Sequence, residues 1–295
     1  MSDITAASSL QNLSDAFAEV VGRTARSIVA VHTARSRSSG FFWRPGLIVT
    51  ADEALAEDGD IAVVLPSGES AAATVVGRDP TTDVALLRVA SASPAGAALD
   101  DASASVGALA LAIGAQNGTP TAAFGAIAFV GGPWRSLRGG EIDARIELDL
   151  DLRRAGEGGL AVDAAGRALG MAVFGPRRRA LAIPTKTIER VAAKLETHGR
   201  IARGYLGLGL QTTKLDAGAG VGAMVMSVDA GGPGAAAAIR QGDVIVRWNG
   251  EPVQGVRALL RALGPESVGR MVDVSLLRGG EAREAVVTIG ERPDA

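Results

Sequence analysis

Between residues 27 and 183 the apolar positions come in short runs, cut by glycine or polar turns. The clearest are SIVAVHTA (27–34), LIVT (47–50), IAVVLP (61–66), VALLRV (84–89), ALALAIG (108–114), AFGAIAFV (123–130) and IELDL (146–150). Many short β-rich runs with close turn signals predict the strands of a barrel or sandwich. The pattern changes after LAIP (181–184). In TKTIERVAAKLETHG (185–199), Ile188, Val191, Ala192 and Leu195 recur at helical spacing and Gly199 supplies a stop, which predicts a helix. Beyond it, GYLGLGLQ, VGAMVMSV, GDVIVRWNG, MVDVSLLR and AVVTIG read as strands, while GPGAAAAIR and VRALLRAL read as helices. At the other end Leu13, Phe17, Val20 and Val21 fit a short amphipathic helix starting near Ser14 or Asp15. Four segments follow: a helical 1–26, a β-rich 27–184, a helix and linker 185–202, and an α+β unit 203–292.

Composition narrows the function classes. Hydrophobic residues make up 47% and charged residues 21%, which is the balance of a chain with a real core. A net charge of −2 argues against a nucleic-acid binder, which presents a strongly basic face. Arg177, Arg178 and Arg179 read as solvated loop charge. No cysteine is present, so disulfides, cysteine nucleophiles and thiolate metal sites are excluded. No glycine-rich loop opens a helix within a βαβ unit, and no cofactor is expected. The chain has no run of about 18 apolar residues, hence no expected membrane span. Its start lacks a signal-peptide pattern, so the location expected as written is cytoplasmic, or periplasmic if the true start lies upstream.

Several segments together resemble the HtrA (Deg) proteases. SGFFWRPGLIVTADEAL (39–55) is similar to the segment that ends at the family's catalytic histidine, and VVGRDPTTDVALLRV (75–89) to the one holding its aspartate. RAGEGGLAVDAAGRALGMAV (154–173) is similar to the nucleophile turn and the strand after it. ALAIP (180–184) matches the end of the barrel, and RGYLGLGLQ (203–211) and GDVIVRWNGEPV (242–253) resemble PDZ signatures. The resemblance implies a mainly β chain: a trypsin-like double β-barrel followed by a PDZ domain.

Under that resemblance the triad positions are Glu53, Asp83 and Glu157. Only the aspartate is the family's residue. A serine protease needs a hydroxyl nucleophile and an imidazole to take its proton. Glu157 is a poor nucleophile towards an amide, and an ionised Glu157 repels a developing oxyanion. The two histidines, His32 and His198, and the turn residue Ser39 fall outside the matched triad positions. Ala155 stands where the family places a glycine, which would be strained if the turn needs a positive φ there. Three converging carboxyls would require a retained proton, neutralising arginines such as Arg153 or Arg154, or a hard cation. The expectation is therefore a catalytically inactive HtrA-like pseudoprotease with no metal. The alternative is a serine-type endopeptidase of the family, in protein quality control, using non-standard residues.

In the PDZ segment the resemblance implies a carboxylate-binding loop at Tyr205, Leu206, Gly207 and Leu208, with Leu259 on the helix forming the opposite wall. Backbone N–H groups of the loop can meet a chain-terminal carboxylate, and the following strand can accept an extended peptide. The expected partners are C-terminal or extended peptides of other proteins, not nucleic acid. The resemblance also implies a homotrimer built through residues 10–26, with Phe17 as an anchor.

Overall fold

The structure, a computed structural model, describes residues 2–55, 59–90, 96–99, 102–215 and 220–293, with side chains from residue 8 onward. Contacts divide the chain into two units, one of residues 1–134 with 142–200, the other of 135–141 with 201–295.

The first unit begins with α1 (Ser2–Thr24). The helix starts well before Ser14, so the short helix expected from the apolar stripe is only its second half. That half is the part with something to bury: Val20 is in the core, and the Phe17 ring lies 4.9 Å from that of Phe124. The first barrel comprises β1 (Ile28–His32), β2 (Arg37–Arg44), β3 (Leu47–Thr50), β4 (Ile61–Val64), β5 (Ser70–Asp79) and β6 (Val84–Val89). It closes in the order β1-β2-β3-β6-β5-β4 around Val29, Val31, Phe42, Ile48, Val63 and Leu87.

The second barrel draws on β7 (Leu109–Gln116), β8 (Thr119–Gly131), β11 (Arg145–Asp149), β12 (Leu160–Asp163), β13 (Ala168–Phe174) and β14 (Ala180–Pro184). Between β8 and β11, the two-residue strands β9 (Trp134–Arg135) and β10 (Glu141–Ile142) pair with each other. The barrel closes in the order β11-β14-β13-β12-β7-β8, and small residues such as Ala110, Ala112, Ala161, Ala172 and Ala182 fill its interior. Closure removes the free edges that an open sheet would leave. Helix α2 (Thr185–His198) then buries Ile188, Val191, Ala192 and Leu195, and Gly199 caps it at φ 71°.

In the second unit, β16 (Leu208–Lys214), β17 (Val221–Val228), β18 (Val244–Trp248), β20 (Met271–Arg278) and β21 (Glu281–Thr288) lie in that order, while β19 (Glu251–Pro252) pairs with β18. β15 (Gly204–Tyr205) pairs with β22 (Gly290–Glu291). The helices are α3 (Pro233–Ala236), shorter than its alanine run suggests, and α4 (Val256–Ala262). Ala237 leaves helical geometry and Ala238 adopts φ 57°, which ends α3. β16 is a terminal strand, so among the described residues one of its edges has no strand beside it. Among the described residues no helix is long and apolar enough to cross a membrane.

Candidate functional site

Three loops of the first unit bring the candidate residues together. A helical turn at Asp52–Ala54 follows β3 and carries Glu53, which is exposed. Its neighbour Asp52 is buried and held by Arg78 Nε at 2.5 Å, fixing the turn. The loop before β6 is organised by the Asp79 carboxylate, which accepts the Thr81 N–H at 3.0 Å and the Thr82 hydroxyl at 2.7 Å. Asp83 leaves that loop at φ 59°, a left-handed conformation that aspartate tolerates better than most residues. Asp83 Oδ1 then accepts the Glu53 backbone N–H at 2.7 Å, joining the two loops.

The third loop is the turn Arg154–Gly156 leading into Glu157. Ala155 does not sit at positive φ; Gly158 does, at 81°. The tolerance for alanine at 155 follows directly. A Cβ on Gly158 would meet the Ser39 carbonyl at 2.3 Å, and one on Gly159 would meet the Ile113 carbonyl at 2.2 Å. Ser39 is buried and structural: its hydroxyl accepts from the Ala115 N–H at 2.7 Å and donates to the Ala155 carbonyl at 2.5 Å. Its own N–H donates to the Glu157 carbonyl at 2.8 Å.

Glu53, Asp83 and Glu157 are thus brought close enough to feel one another's charge. Burial pushes the Asp83 carboxyl up to about 8, with the charges of Glu53, Glu157 and Asp52 acting the same way and the Glu53 N–H opposing them. Glu157 is also raised, first by burial and then by Glu53, against the opposing pull of Arg154 and Arg178. Its side chain is only 4% exposed and its Oε2 makes no hydrogen bond; Arg154 Nη1 stands 4.0 Å away. Of the two neutralising arginines expected, Arg154 reaches the cluster, while Arg153 lies beside Asp151 at 3.9 Å. No group of three acidic or histidine residues among those described is arranged to hold a metal ion. His198 is exposed and shares a hydrogen bond with Thr197 at 2.6 Å. His32 lies in β1, and no hydrogen bond joins it to a serine in the described residues.

In the second unit Gly207 adopts φ 68° and has no room for a Cβ, which would meet Gly232 Cα at 2.9 Å. The Leu206 and Gly207 carbonyls accept from Gly234 at 2.7 Å and Asp229 at 2.8 Å. Neither residue donates its own N–H to a backbone carbonyl among the described residues. Tyr205 bonds through its hydroxyl to Asp229, and Leu208 opens the terminal strand β16. Leu206 and Leu259 are buried in the unit's core, whereas Leu260 is 54% exposed. Leu259, which the resemblance placed on the groove wall, is thus a core side chain. The Thr212 hydroxyl, accepting the Val256 N–H at 3.1 Å, ties α4 beside β16.

Two family models match the chain: a trypsin-like peptidase domain over residues 38–171 and a PDZ domain over 204–289. A probable periplasmic serine endoprotease, DegP-like, of Rhizobium meliloti (strain 1021) is 31% identical over 277 residues, covering 88% of this chain and 54% of the relative. One of the same description from Brucella suis biovar 1 is 30% identical, covering 88% and 53%. The chain therefore spans about half the length of these curated relatives. The crystal structure of the serine endoprotease from Yersinia pestis aligns with a TM-score of 0.69 at 27% identity, covering 94% of this chain and 98% of that one. The HtrA-type protease AlgW with tripeptide aligns at 0.66 and 26% identity, covering 95% and 98%.

These findings overturn the expectation that the chain is not an enzyme, because its relatives are named serine endoproteases and its structural neighbours proteases. That expectation rested on two side chains. Their replacement removes the route through a serine ester, but hydrolysis by an activated water needs no hydroxyl side chain. The expected cytoplasmic location gains nothing either, since the relatives are named periplasmic.

Proposed function

We propose, from the premise that the chain belongs to the HtrA-type family of trypsin-like peptidases carrying a PDZ domain, that it is an endopeptidase acting on polypeptides, in protein quality control, through carboxyl-assisted attack of water. The supporting observation is Asp83, raised to about 8, whose Oδ1 accepts the Glu53 backbone N–H at 2.7 Å and so holds the two residues side by side. At neutral pH Asp83 keeps its proton, and a protonated carboxyl beside a second one is the complement used when paired carboxyls hydrolyse amides. The water oxygen bonds to the scissile carbonyl carbon as one water proton passes to a Glu53 carboxyl oxygen. The carbon–nitrogen bond breaks as the amine takes a proton from Asp83, and solvent exchange resets the pair. Burial, which raises Glu157, favours the form that donates to the oxyanion over the one that repels it.

Labelled casein added to the intact protein tests this. Turnover is expected to fall as pH rises through about 8, where Asp83 loses its proton, and Glu53→Gln should lower it about 100-fold, the scale of a lost general base. No turnover above a protein-free blank would overturn the proposal. So would turnover unchanged when Glu53→Gln, Asp83→Asn and Glu157→Gln are combined.

The PDZ loop is proposed to take the C-terminal carboxylate of a polypeptide on the free N–H groups of Leu206 and Gly207, with the chain adding along β16. A peptide with a free C-terminus should bind at least about tenfold tighter than its amidated twin, a difference of about 1.4 kcal/mol. Equal affinities in a titration would remove the loop from this role. Leu10 and Leu13, 70% and 45% exposed on α1, are the apolar positions proposed to meet other copies in a homotrimer, in place of Phe17, which is half-buried against Phe124. A periplasmic location is extended from the relatives' names.

A further inference from the structure

Only two buried side-chain polar atoms among the described residues lack a hydrogen-bond partner: Glu157 Oε2 and Ser38 Oγ. Leaving such an atom unpaired costs about 1–3 kcal/mol, so each asks for an explanation. Glu157 belongs to the carboxyl cluster. Ser38 does not; it is 1% exposed, pairs with Val31 and so turns its side chain into the barrel core, while its chain edges a cavity of about 520 Å³ beside the Arg154–Gly156 turn. The same cavity is lined by His32, Arg35, Arg37, Gln116 and Arg154. Three guanidinium groups thus border one hollow in a chain whose net charge is −2.

No carboxylate pairs with Arg35 or Arg37 among the described residues. Arg37 Nη1 donates instead to the carbonyls of Thr33 at 2.8 Å and Ser36 at 3.1 Å, which fixes its direction and leaves its charge uncompensated. Among the described residues Arg154 faces the carboxyl of Glu157, at 4.0 Å. The imidazole of His32 is held below its ordinary range, by burial first and by the Arg37 charge second, as a positive field requires. The hollow is far larger than one water, whose share of liquid volume is about 30 Å³, so an extended side chain fits. The guanidinium forks of Arg35 and Arg37, with no carboxylate beside them among the described residues, suit a planar carboxylate.

We propose that this cavity is an acidic-residue subsite: it receives the carboxylate of an aspartate or glutamate side chain of a polypeptide lying in the barrel cleft, with Arg35, Arg37 and Arg154 as its cationic rim. It rests on the reading that the cleft accepts polypeptide, and does not require that the polypeptide be cut. It makes acidic segments the preferred ligands of the barrel, independently of the peptide terminus taken by the PDZ loop.

The test uses the intact protein and two decapeptides, amidated at the C-terminus and identical apart from one central Glu replaced by Gln. Amidation removes the terminal carboxylate. Fluorescence anisotropy at low salt is expected to show the Glu peptide binding about tenfold tighter, and added salt should erase most of that difference. The preference should vanish in a variant combining Arg35→Gln and Arg37→Gln, and persist in the control Arg283→Gln, which changes an exposed arginine of the second unit. Equal binding of the two peptides overturns the subsite alone, as does a preference that survives the double substitution. Binding of neither peptide overturns the parent reading together with it.

Discussion

Asp83→Asn is expected to remove most of the stability that the protein loses between about pH 4 and about pH 8. The unfolded carboxyl titrates near 3.9; in the folded chain burial lifts it to about 8. The folded state therefore holds this proton more tightly than the unfolded one. Its stabilising contribution is complete below about pH 4 and is lost as pH rises through about 8. Each unit of difference corresponds to about 1.4 kcal/mol. The full gap sets an upper limit of about 6 kcal/mol, and solvent at this half-buried group brings the expected loss nearer about 2–3 kcal/mol. Glu157 shifts in the same direction and adds to the slope. Asparagine keeps an oxygen for the Glu53 N–H and cannot ionise. Denaturant melts at pH 5 and pH 8.5 should therefore differ much less for the variant than for the parent. Equal slopes in the two proteins would show that the Asp83 proton is not what the folded state retains.

Gly158→Ala should be the most damaging single methyl in the cleft. Two independent costs coincide there. The residue sits at φ 81°, where an L side chain costs about 1–2 kcal/mol. Its new Cβ would also lie 2.3 Å from the Ser39 carbonyl and 2.8 Å from Thr50 Oγ1, both buried and both part of the hydrogen-bonded frame. Backbone cannot yield as a flexible side-chain tip can. Because Ser39 also binds Ala155 and Glu157, any shift is passed to the whole turn. The expected loss is about 4 kcal/mol or more, the range reserved for overpacking and backbone strain together. Gly132→Ala, where a Cβ meets nothing within 4 Å, should cost far less. A thermal-melt comparison of the two variants decides it; similar melting temperatures would mean that the turn is not the rigid element described.

Much of the architecture was legible because buried strands announce themselves as apolar runs. β1, β3, β4, β6 and β7 coincide with such runs. β2 and β5 were less visible, since RSSGFFWR begins with charged and small residues and SAAATVVGRD is largely alanine and partly exposed. Their place is set by ladder partners far along the chain, which periodicity does not encode. The early start of α1 was missed for a related reason: its first half shows no buried stripe among residues 8–16. At the candidate site the resemblance identified Glu53, Asp83 and Glu157, and the structure brings them together. The step from those residue types to an inactive chain did not hold against the relatives. The basic hollow had no signal at all, because Arg35, Arg37, Gln116 and Arg154 meet only when two strands and a turn converge.

Sequence alone determined the order of elements and the two missing family side chains. These are local properties: they depend on side-chain chemistry, spacing and the conformations open to each residue. Tertiary structure alone decided which carboxyl keeps its proton and which buried oxygens lack a partner. It also decided that three arginines share a cavity. Those outcomes depend on burial and on distances between groups remote in the chain, and the electrostatic cost of a charge is fixed by its surroundings in space.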